Sequence, residues 1–401
     1  MNKSDQSMAR SAFAPFAKPL YVMLKPVGAV CNLNCDYCYY LEKKGLYPDD
    51  NKYVMSDKLL EKFTEEYINS QTTSHVMFAW HGGEALMRHI DFYKKALHFQ
   101  RVYAKGKIIA NSLQTNGTLL TDEWCRFFKE NNFLIGISLD GPQHCHDKYR
   151  KTKDKRPSFF KVMKGIELLK KYDVEYNIMA VVNDYNVDYP LEFYNFFKSI
   201  GAKYIQFAPI VEQIDGESAP WNVSANKWGD FLIAIFDEWV KQDVGDTFIQ
   251  IFDAALANWV GVDPGVCIFA KTCGHAGVME FNGDVYACDH FVFPEYKIGN
   301  IYSKSLMEMM YSSKQINFGN DKYDRLPKQC KECKYQFACR GECPKNRIRT
   351  TKDGEIGLNY LCEGFYKFFD HITVYMDFMK NELENQRPPS NVMSMLSSLK
   401  S

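Results

Sequence analysis

The residues with the most chemistry in the shortest span are Cys31, Cys35 and Cys38, a Cys-x3-Cys-x2-Cys run just past a short apolar segment, Leu20 to Leu24. Thiolates at this spacing suit an iron–sulfur cluster. A cubane has four irons, so three protein ligands leave one iron open to an exchangeable group. A structural zinc site asks for four closed ligands, and no fourth Cys or any His lies in the next thirty residues. A disulfide would leave one thiol over. Eight further cysteines crowd the last third of the chain: Cys267-x5-Cys273, Cys288, Cys330-x2-Cys333-x5-Cys339-x3-Cys343, and Cys362. They suffice for two sites of four ligands, and their spacing by itself leaves zinc and iron–sulfur equally open. Cys125 and Cys145 read as structural thiols.

The elements that must hold these groups show in the hydrophobic periodicity. Between residues 20 and 250, a strand-like apolar run followed by an amphipathic helix-like run occurs six times. Strands are expected near 20–25, 76–81, 107–114, 133–139, 174–182 and 203–211. Helices are expected near 56–70, 89–104, 121–131, 158–172, 188–200 and 224–242, with Ser56 and Thr121 as caps. Alternating β and α units imply a parallel sheet, whose ligands bind in loops at the carboxyl ends of the strands. The polar motifs fall in such loops: the cysteine run, His81-Gly82-Gly83-Glu84, Gln114-Thr115-Asn116-Gly117, and Ser138-Leu139-Asp140-Gly141-Pro142. Each alone reads as an ordinary turn, but together they line one rim. Six pairs are too few to close an eight-stranded barrel, so the expected architecture is an α/β, (β/α)6 partial TIM barrel with a lateral opening.

Past residue 250 this alternation stops. Phe281-Asn282-Gly283-Asp284 reads as a hairpin tip between Val278–Glu280 and Val285–Ala287. A last amphipathic helix spans about 363–384. The division this suggests is a flexible N-terminus over 1–18, a barrel over 19–250, a cysteine-rich domain over 251–384 and a flexible tail over 385–401.

Lys plus Arg and Asp plus Glu both count 49, so no net field gathers nucleic acid or anionic membrane, and neither is expected as a partner. No apolar run approaches the roughly 20 residues that span a bilayer, and the N-terminus has no export signal. A cytoplasmic location is expected, where thirteen cysteines point to metal ahead of disulfides.

With its aromatic Tyr37 before the last cysteine, the Cys31–Cys38 run resembles the signature of the radical S-adenosylmethionine (SAM) superfamily, in which SAM chelates the fourth iron. The cysteine-rich tail resembles the SPASM domain, the auxiliary-cluster extension of radical SAM enzymes that modify peptides. That resemblance implies one [4Fe-4S] cluster on Cys267, Cys273, Cys288 and Cys343 and another on Cys330, Cys333, Cys339 and Cys362, three clusters in all. Within the group, Cys31–Tyr40, Ser112–Thr118, Gly136–Pro142 and Tyr286–Asp289 resemble the anaerobic sulfatase-maturating enzymes over about residues 20–380. One departure is Ala85, where the family motif has proline.

The family resemblance implies a reaction. A 5′-deoxyadenosyl radical from SAM takes a Cβ hydrogen from a Cys or Ser in a sulfatase motif of the Cys/Ser-x-Pro/Ala-x-Arg type, and Cα-formylglycine results. It also implies SAM contacts at Gly83, Glu84, Ser138 and Arg150, a base at Asp289, substrate contact at Tyr40, and an electron donor such as flavodoxin or ferredoxin. Without it, Arg150 reads as a surface arginine and Asp289 as a turn residue. Two other functions fit the cysteines. One is a different SPASM-type peptide modification such as thioether cross-linking. The other is a non-catalytic metal scaffold, which would not cleave SAM.

Overall fold

The computed structural model describes residues 19–47 and 53–398. The expected flexible N-terminus, 1–18, lies outside the described residues. In chain order the elements that matter are β1 (Tyr21–Leu24), α1 (Asp57–Ser70), β2 (His75–Trp80), α2 (Ile90–Tyr103), β3 (Ile108–Thr115), α3 (Asp122–Glu130), β4 (Phe133–Ser138), α4 (Phe159–Lys171), β5 (Tyr176–Val182), α5 (Pro190–Ser199), β6 (Tyr204–Pro209), α6 (Ala225–Gln242), β7 (Phe248–Ile249), α7 (Gln250–Val260), β8 (Ala276–Met279), β9 (Asp284–Tyr286), β10 (Lys297–Asn300) and α8 (Cys362–Glu384). The six expected strand and helix pairs all form, with boundaries within two residues of those expected. The expected caps are made: Ser56 Oγ accepts from the Leu59 amide at 3.2 Å and Thr121 Oγ1 from the Trp124 amide at 3.3 Å.

By internal contacts the chain forms two compact units. Among the described residues, the first takes in those up to 30, those within 40–114 and 274–318. In it β1 pairs in parallel with β2 and with β8, with Leu24 opposite both Trp80 and Met279, and β2 pairs in parallel with β3. The expected hairpin is the antiparallel pair β8–β9, to which β10 adds. β1 is therefore enclosed by strands from opposite ends of the sequence. Beneath this sheet, Asn111 Oδ1 accepts from Trp80 Nε1 and Gln100 Nε2, both at 2.9 Å, so the buried amides are satisfied.

The second unit holds 31–39, 115–273 and 319 onward. Here β4, β5, β6 and β7 run parallel in that order, with Ile135 opposite Tyr176, Ile178 opposite Ile205 and Tyr204 opposite Phe248. Phe236, Phe252 and Phe368, from α6, α7 and α8, form the aromatic core of its helical layer. Each such buried ring contributes about 1.5–3 kcal/mol over exposure.

Two elements differ from expectation. A helix over Gln143–Tyr149 follows Pro142; its sequence is almost wholly polar and gives no apolar stripe to read. Residues 385–401, expected as a flexible tail, contain the helix Asn391–Ser398. The reason lies in Glu382, whose carboxylate accepts from Arg387 Nε at 2.9 Å and Asn391 Nδ2 at 2.5 Å, and in Val392, which is fully buried. Among the described residues no helix is long and apolar enough to cross a membrane.

Candidate active site

In the second unit the Cys31–Cys38 loop is fastened at nearly every residue. The Asn34 amide donates to Lys151 O at 2.8 Å and the Asp36 amide to Tyr149 O at 3.1 Å. Asn32 Nδ2 donates to Thr118 Oγ1, and Asn116 Nδ2 to Asn32 Oδ1, both at 2.8 Å. Two N–H groups point at Cys31 Sγ, from Leu33 at 3.3 Å and Asn116 at 3.6 Å, the environment a thiolate needs. Burial pushes the Cys35 thiol up to about 11, so it ionises only against added positive charge such as bound iron. Three soft donors with hydrogen bonds already aimed at sulfur fit an iron–sulfur cluster, and the same loop carries Tyr37 inward.

Tyr37 and Arg150 meet on Asp140. Tyr37 Oη donates to Asp140 Oδ2, and Arg150 Nε pairs with the same oxygen at 2.9 Å, the Arg150 and Asp140 side chains being 10% and 1% exposed. Arg150 is thus no surface residue. Burial disfavours its charge, but Asp140 and Tyr37 reverse this and raise its pKa further. Ser138 ends β4 two residues before Asp140.

In the first unit the His81–Glu84 loop follows β2. Gly82 has φ +115°, a region that favours glycine. At Gly83 a Cβ would lie 2.1 Å from Val30 O, so the loop closes on the chain after β1 only because no side chain is there. Glu84 is fully buried: its amide donates to Val30 O at 2.9 Å, and its Oε1 accepts from the Leu86 amide at 3.0 Å, capping a short 3-10 turn.

Asp289, next to Cys288, sits in a charged nest of the same unit. Lys25 Nζ lies 2.5 Å from Asp289 Oδ1 and 3.0 Å from Glu280 Oε1. Tyr40 Oη donates to Asp289 Oδ2 at 2.7 Å and lies 3.1 Å from His81 Nδ1, while Lys43 donates to the Asp289 carbonyl. Burial works against the Asp289 carboxylate, yet the ammonium groups of Lys25 and Lys43 hold it well below the usual range. Burial lowers Lys43 to about 8 despite Asp289, and it keeps His81 neutral. Since His81 Nδ1 accepts from the Gly82 amide at 2.8 Å, the ring proton is on Nε2. Tyr40, His81 and Asp289, drawn from three loops, therefore converge. Lys25, Lys43 and Glu280 were not found in the sequence. The signal was available, because Lys25 and Glu280 are charges placed directly after the apolar strands β1 and β8.

The other cysteines of the second unit form two neighbourhoods. Burial raises Cys339 and Cys362 to about 12, with Cys330 acting on both and Cys333 on Cys362. Cys267, Cys273 and Cys343 share the field of Lys322, a fully buried cation whose Nζ donates to Cys267 O, Ile268 O and Ala270 O. The thiol-rich, cation-lined surroundings fit iron–sulfur groups. Among the described residues no three His, Cys, Asp or Glu side chains are gathered as around a single ion. Cys125 and Cys145 are fully buried.

Residues 26–197 match the Radical SAM superfamily and residues 273–334 the SPASM iron-sulfur cluster-binding domain. A serine-type anaerobic sulfatase-maturating enzyme of Bacteroides thetaiotaomicron is 64% identical over 97% of this chain and 98% of its own. A cysteine-type enzyme of Clostridium novyi is 36% identical over 88% of this chain and 95% of its own. The solved structure of native anSMEcpe with bound AdoMet and Cp18Cys peptide superposes with a TM-score of 0.81 at 31% identity, covering 91% of this chain and 100% of that one. Fold, cysteine loop and likeness agree: the chain belongs to the anaerobic sulfatase-maturating enzymes, radical SAM oxidoreductases with a SPASM domain.

Proposed function

We propose that this enzyme oxidises a Cys or Ser side chain of a sulfatase polypeptide to Cα-formylglycine, with serine, in a motif of the Ser-x-Pro/Ala-x-Arg type, as its natural target. The observation that carries the reading is the Asp289 carboxylate, ionised and braced by Lys25 and Tyr40 beside Cys288. Preference for serine is supported by the 64% identity to a serine-type relative against 36% to a cysteine-type one. With three [4Fe-4S] clusters and SAM bound, the cofactors supply a 5′-deoxyadenosyl radical that takes a Cβ hydrogen, and a path for the electron that leaves.

The chain's own residues do the rest. Cys31, Cys35 and Cys38 hold the cluster that binds SAM, and Gly83, Glu84, Ser138 and Arg150 hold SAM itself. Gly83 keeps the loop backbone close. Arg150, fixed on one edge by Asp140, offers its charge to a carboxylate. Cys267, Cys273, Cys288 and Cys343 ligate one auxiliary cluster and Cys330, Cys333, Cys339 and Cys362 the other. Tyr40 meets the peptide, and Asp289 takes the Oγ proton. A carboxylate held this low does not deprotonate an ordinary alcohol. Losing the Cβ hydrogen makes the neighbouring hydroxyl far more acidic, so Asp289 acts at that point and not before. The reading keeps 19–250 as the SAM-binding barrel and 251–384 as the SPASM domain. It takes the enzyme to be cytoplasmic, where flavodoxin or ferredoxin reduces the clusters.

The test is anaerobic incubation of reconstituted enzyme with SAM, a low-potential reductant and two sulfatase-motif peptides that differ only in Ser or Cys. Mass spectrometry should show the serine peptide losing two hydrogens faster than the cysteine peptide forms the same aldehyde. A faster cysteine reaction overturns the serine assignment, and no aldehyde from either peptide overturns the function.

A further inference from the structure

Lys322 is a fully buried cation to which the reaction as described gives no task. It sits on the helix Ser313–Asp324, one turn past Gly319, whose carbonyl accepts from the Cys273 amide at 3.1 Å. Its Nζ donates to three carbonyls of the loop that leads to Cys273: Cys267 O, Ile268 O at 2.8 Å and Ala270 O at 2.6 Å. The carbonyl between them, Phe269 O, accepts from Asn258 Nδ2 at 3.0 Å. Every carbonyl from Cys267 to Ala270 is thus turned to a side-chain donor.

Three acceptors settle the protonation state. An ammonium has an N–H for each carbonyl, whereas a neutral amine has two and would turn its lone pair on the third. Carbonyls alone do not call for a cation, because the Asn258 amide serves Phe269 O without charge. Burying an ammonium is costly unless a negative group offsets it. Among the described residues no carboxylate forms an ion pair with Lys322, and Arg347, whose Nη1 donates to Lys322 O at 2.6 Å, adds a second positive charge that has none either. Glu342 acts on both, but burial raises its carboxyl above the ordinary range, and one of its oxygens is shared by Asn346 and Asn359 at 2.9 and 2.6 Å. What is left to offset the two cations is thiolate sulfur, which Cys267, Cys273 and Cys343 supply.

We infer that Lys322 is a positioning residue that sets the reduction potential of the auxiliary cluster to which Cys267, Cys273 and Cys343 contribute. The inference rests on the ligation proposed above. A cubane on four thiolates gains one negative charge when it takes an electron, and a fixed cation against its cysteine loop favours that state. Once the substrate radical has given its hydroxyl proton to Asp289, it loses one electron to become the aldehyde. Lys322 makes the cluster beside Asp289 the readier acceptor of that electron.

A redox titration of the reconstituted holoenzyme, followed by electron paramagnetic resonance, tests this. The signal that changes when SAM is added marks the cluster of Cys31, Cys35 and Cys38 and leaves two auxiliary signals to compare. Lys322→Met and Lys322→Gln both remove the charge, and glutamine keeps N–H donors for the carbonyls. In each, the reduction equilibrium of one auxiliary signal should shift at least about tenfold toward the oxidised form, a midpoint about 59 mV more negative. Lys322→Arg, which keeps the charge, should titrate near the parent protein. Parent-like midpoints in an uncharged variant that holds its irons, or an arginine variant shifted as far as the methionine one, overturn the inference. Loss of that cluster's irons from both uncharged variants also overturns it, in favour of a purely structural clamp. A parent holoenzyme with no SAM-insensitive signal refutes the auxiliary ligation itself, which is a different failure.

Discussion

At the scale of single residues, Asp289 is the group on which chemistry and electrostatics meet. Asp289→Asn keeps its size and its neighbours but cannot take a proton. The variant should bind all three clusters and cleave SAM, while formylglycine formation measured by mass spectrometry falls roughly 10²- to 10⁴-fold. An undiminished rate would reduce Asp289 to a turn residue. Lys25 is the counterpart, with a side chain 1% exposed and two carboxylates on its ammonium. Lys25→Met removes the ion-pair partner of both Glu280 and Asp289, leaving Lys43 alone to offset them, and should cost about 3–5 kcal/mol in chemical unfolding. Adding Glu280→Gln should recover part of this loss, and a double variant no more stable than the single one would refute the coupling. Lys43 gives a pH dependence with a definite sign. Its folded pKa of about 8 lies below the ordinary 10.5 because burial disfavours the charge, so between those values the folded chain holds fewer protons than the unfolded one. Stability should rise with pH across that window relative to Lys43→Met, which denaturant midpoints at pH 8 and pH 10 would reveal.

At the scale of elements, the sequence announced what is local. Period and caps located six strands and six helices, since an apolar stripe and a capping hydroxyl are short-range facts. It did not announce that β8 pairs with β1 across more than two hundred residues, because period-two alternation fixes which face of a strand is buried and says nothing of its neighbour. The nest around Asp289 was hidden for that reason. Asp289 and Tyr40 were found through motif likeness, but Lys25 and Glu280 become a pair only when β1 and β8 lie side by side. Arg150 shows the same limit: nothing local distinguishes it from the lysines around it, and only Asp140 and Tyr37 make it a buried cation. The Gly83 loop was legible as a motif, and the structure supplies its physical reason. In Gly83→Ala the new Cβ would meet Val30 O at 2.1 Å, against backbone that cannot yield as a side chain would. The variant should lose roughly 1–3 kcal/mol of stability, and SAM cleavage, followed as 5′-deoxyadenosine release, should drop because the loop is displaced from the chain after β1. Cleavage at the parent rate would show that close approach at Gly83 is dispensable.

At the scale of the whole molecule, the question is how many metal sites the cysteines make. Spacing alone left zinc and iron–sulfur open for the last eight. The surroundings suit a metal–thiolate group: Cys339 and Cys362 are buried thiols pushed to about 12, and Lys322 lies buried beside Cys267 and Cys273. A zinc tetrathiolate carries the same net charge and would welcome the same cation, so the choice of iron–sulfur rests on the match to the SPASM iron-sulfur cluster-binding domain. A redox group is tuned by nearby charge and hydrogen bonding, and a buried lysine favours the more negative, reduced form. On the ligation proposed above, eleven cysteines hold three clusters, or about twelve irons per chain. Replacing Cys31, Cys35 and Cys38 together by alanine removes one ligand set that is held within a single loop. The remaining eight cysteines keep their own supports, including the Lys322 contacts to the carbonyls of Cys267, Ile268 and Ala270. The triple variant should therefore retain about eight irons, with a folded circular-dichroism spectrum and no SAM cleavage. An iron count falling to zero would mean that the auxiliary sites depend on the first. Stoichiometric zinc in anaerobically purified parent protein would replace the two auxiliary clusters by structural metal, and the electron leaving the substrate would need another acceptor.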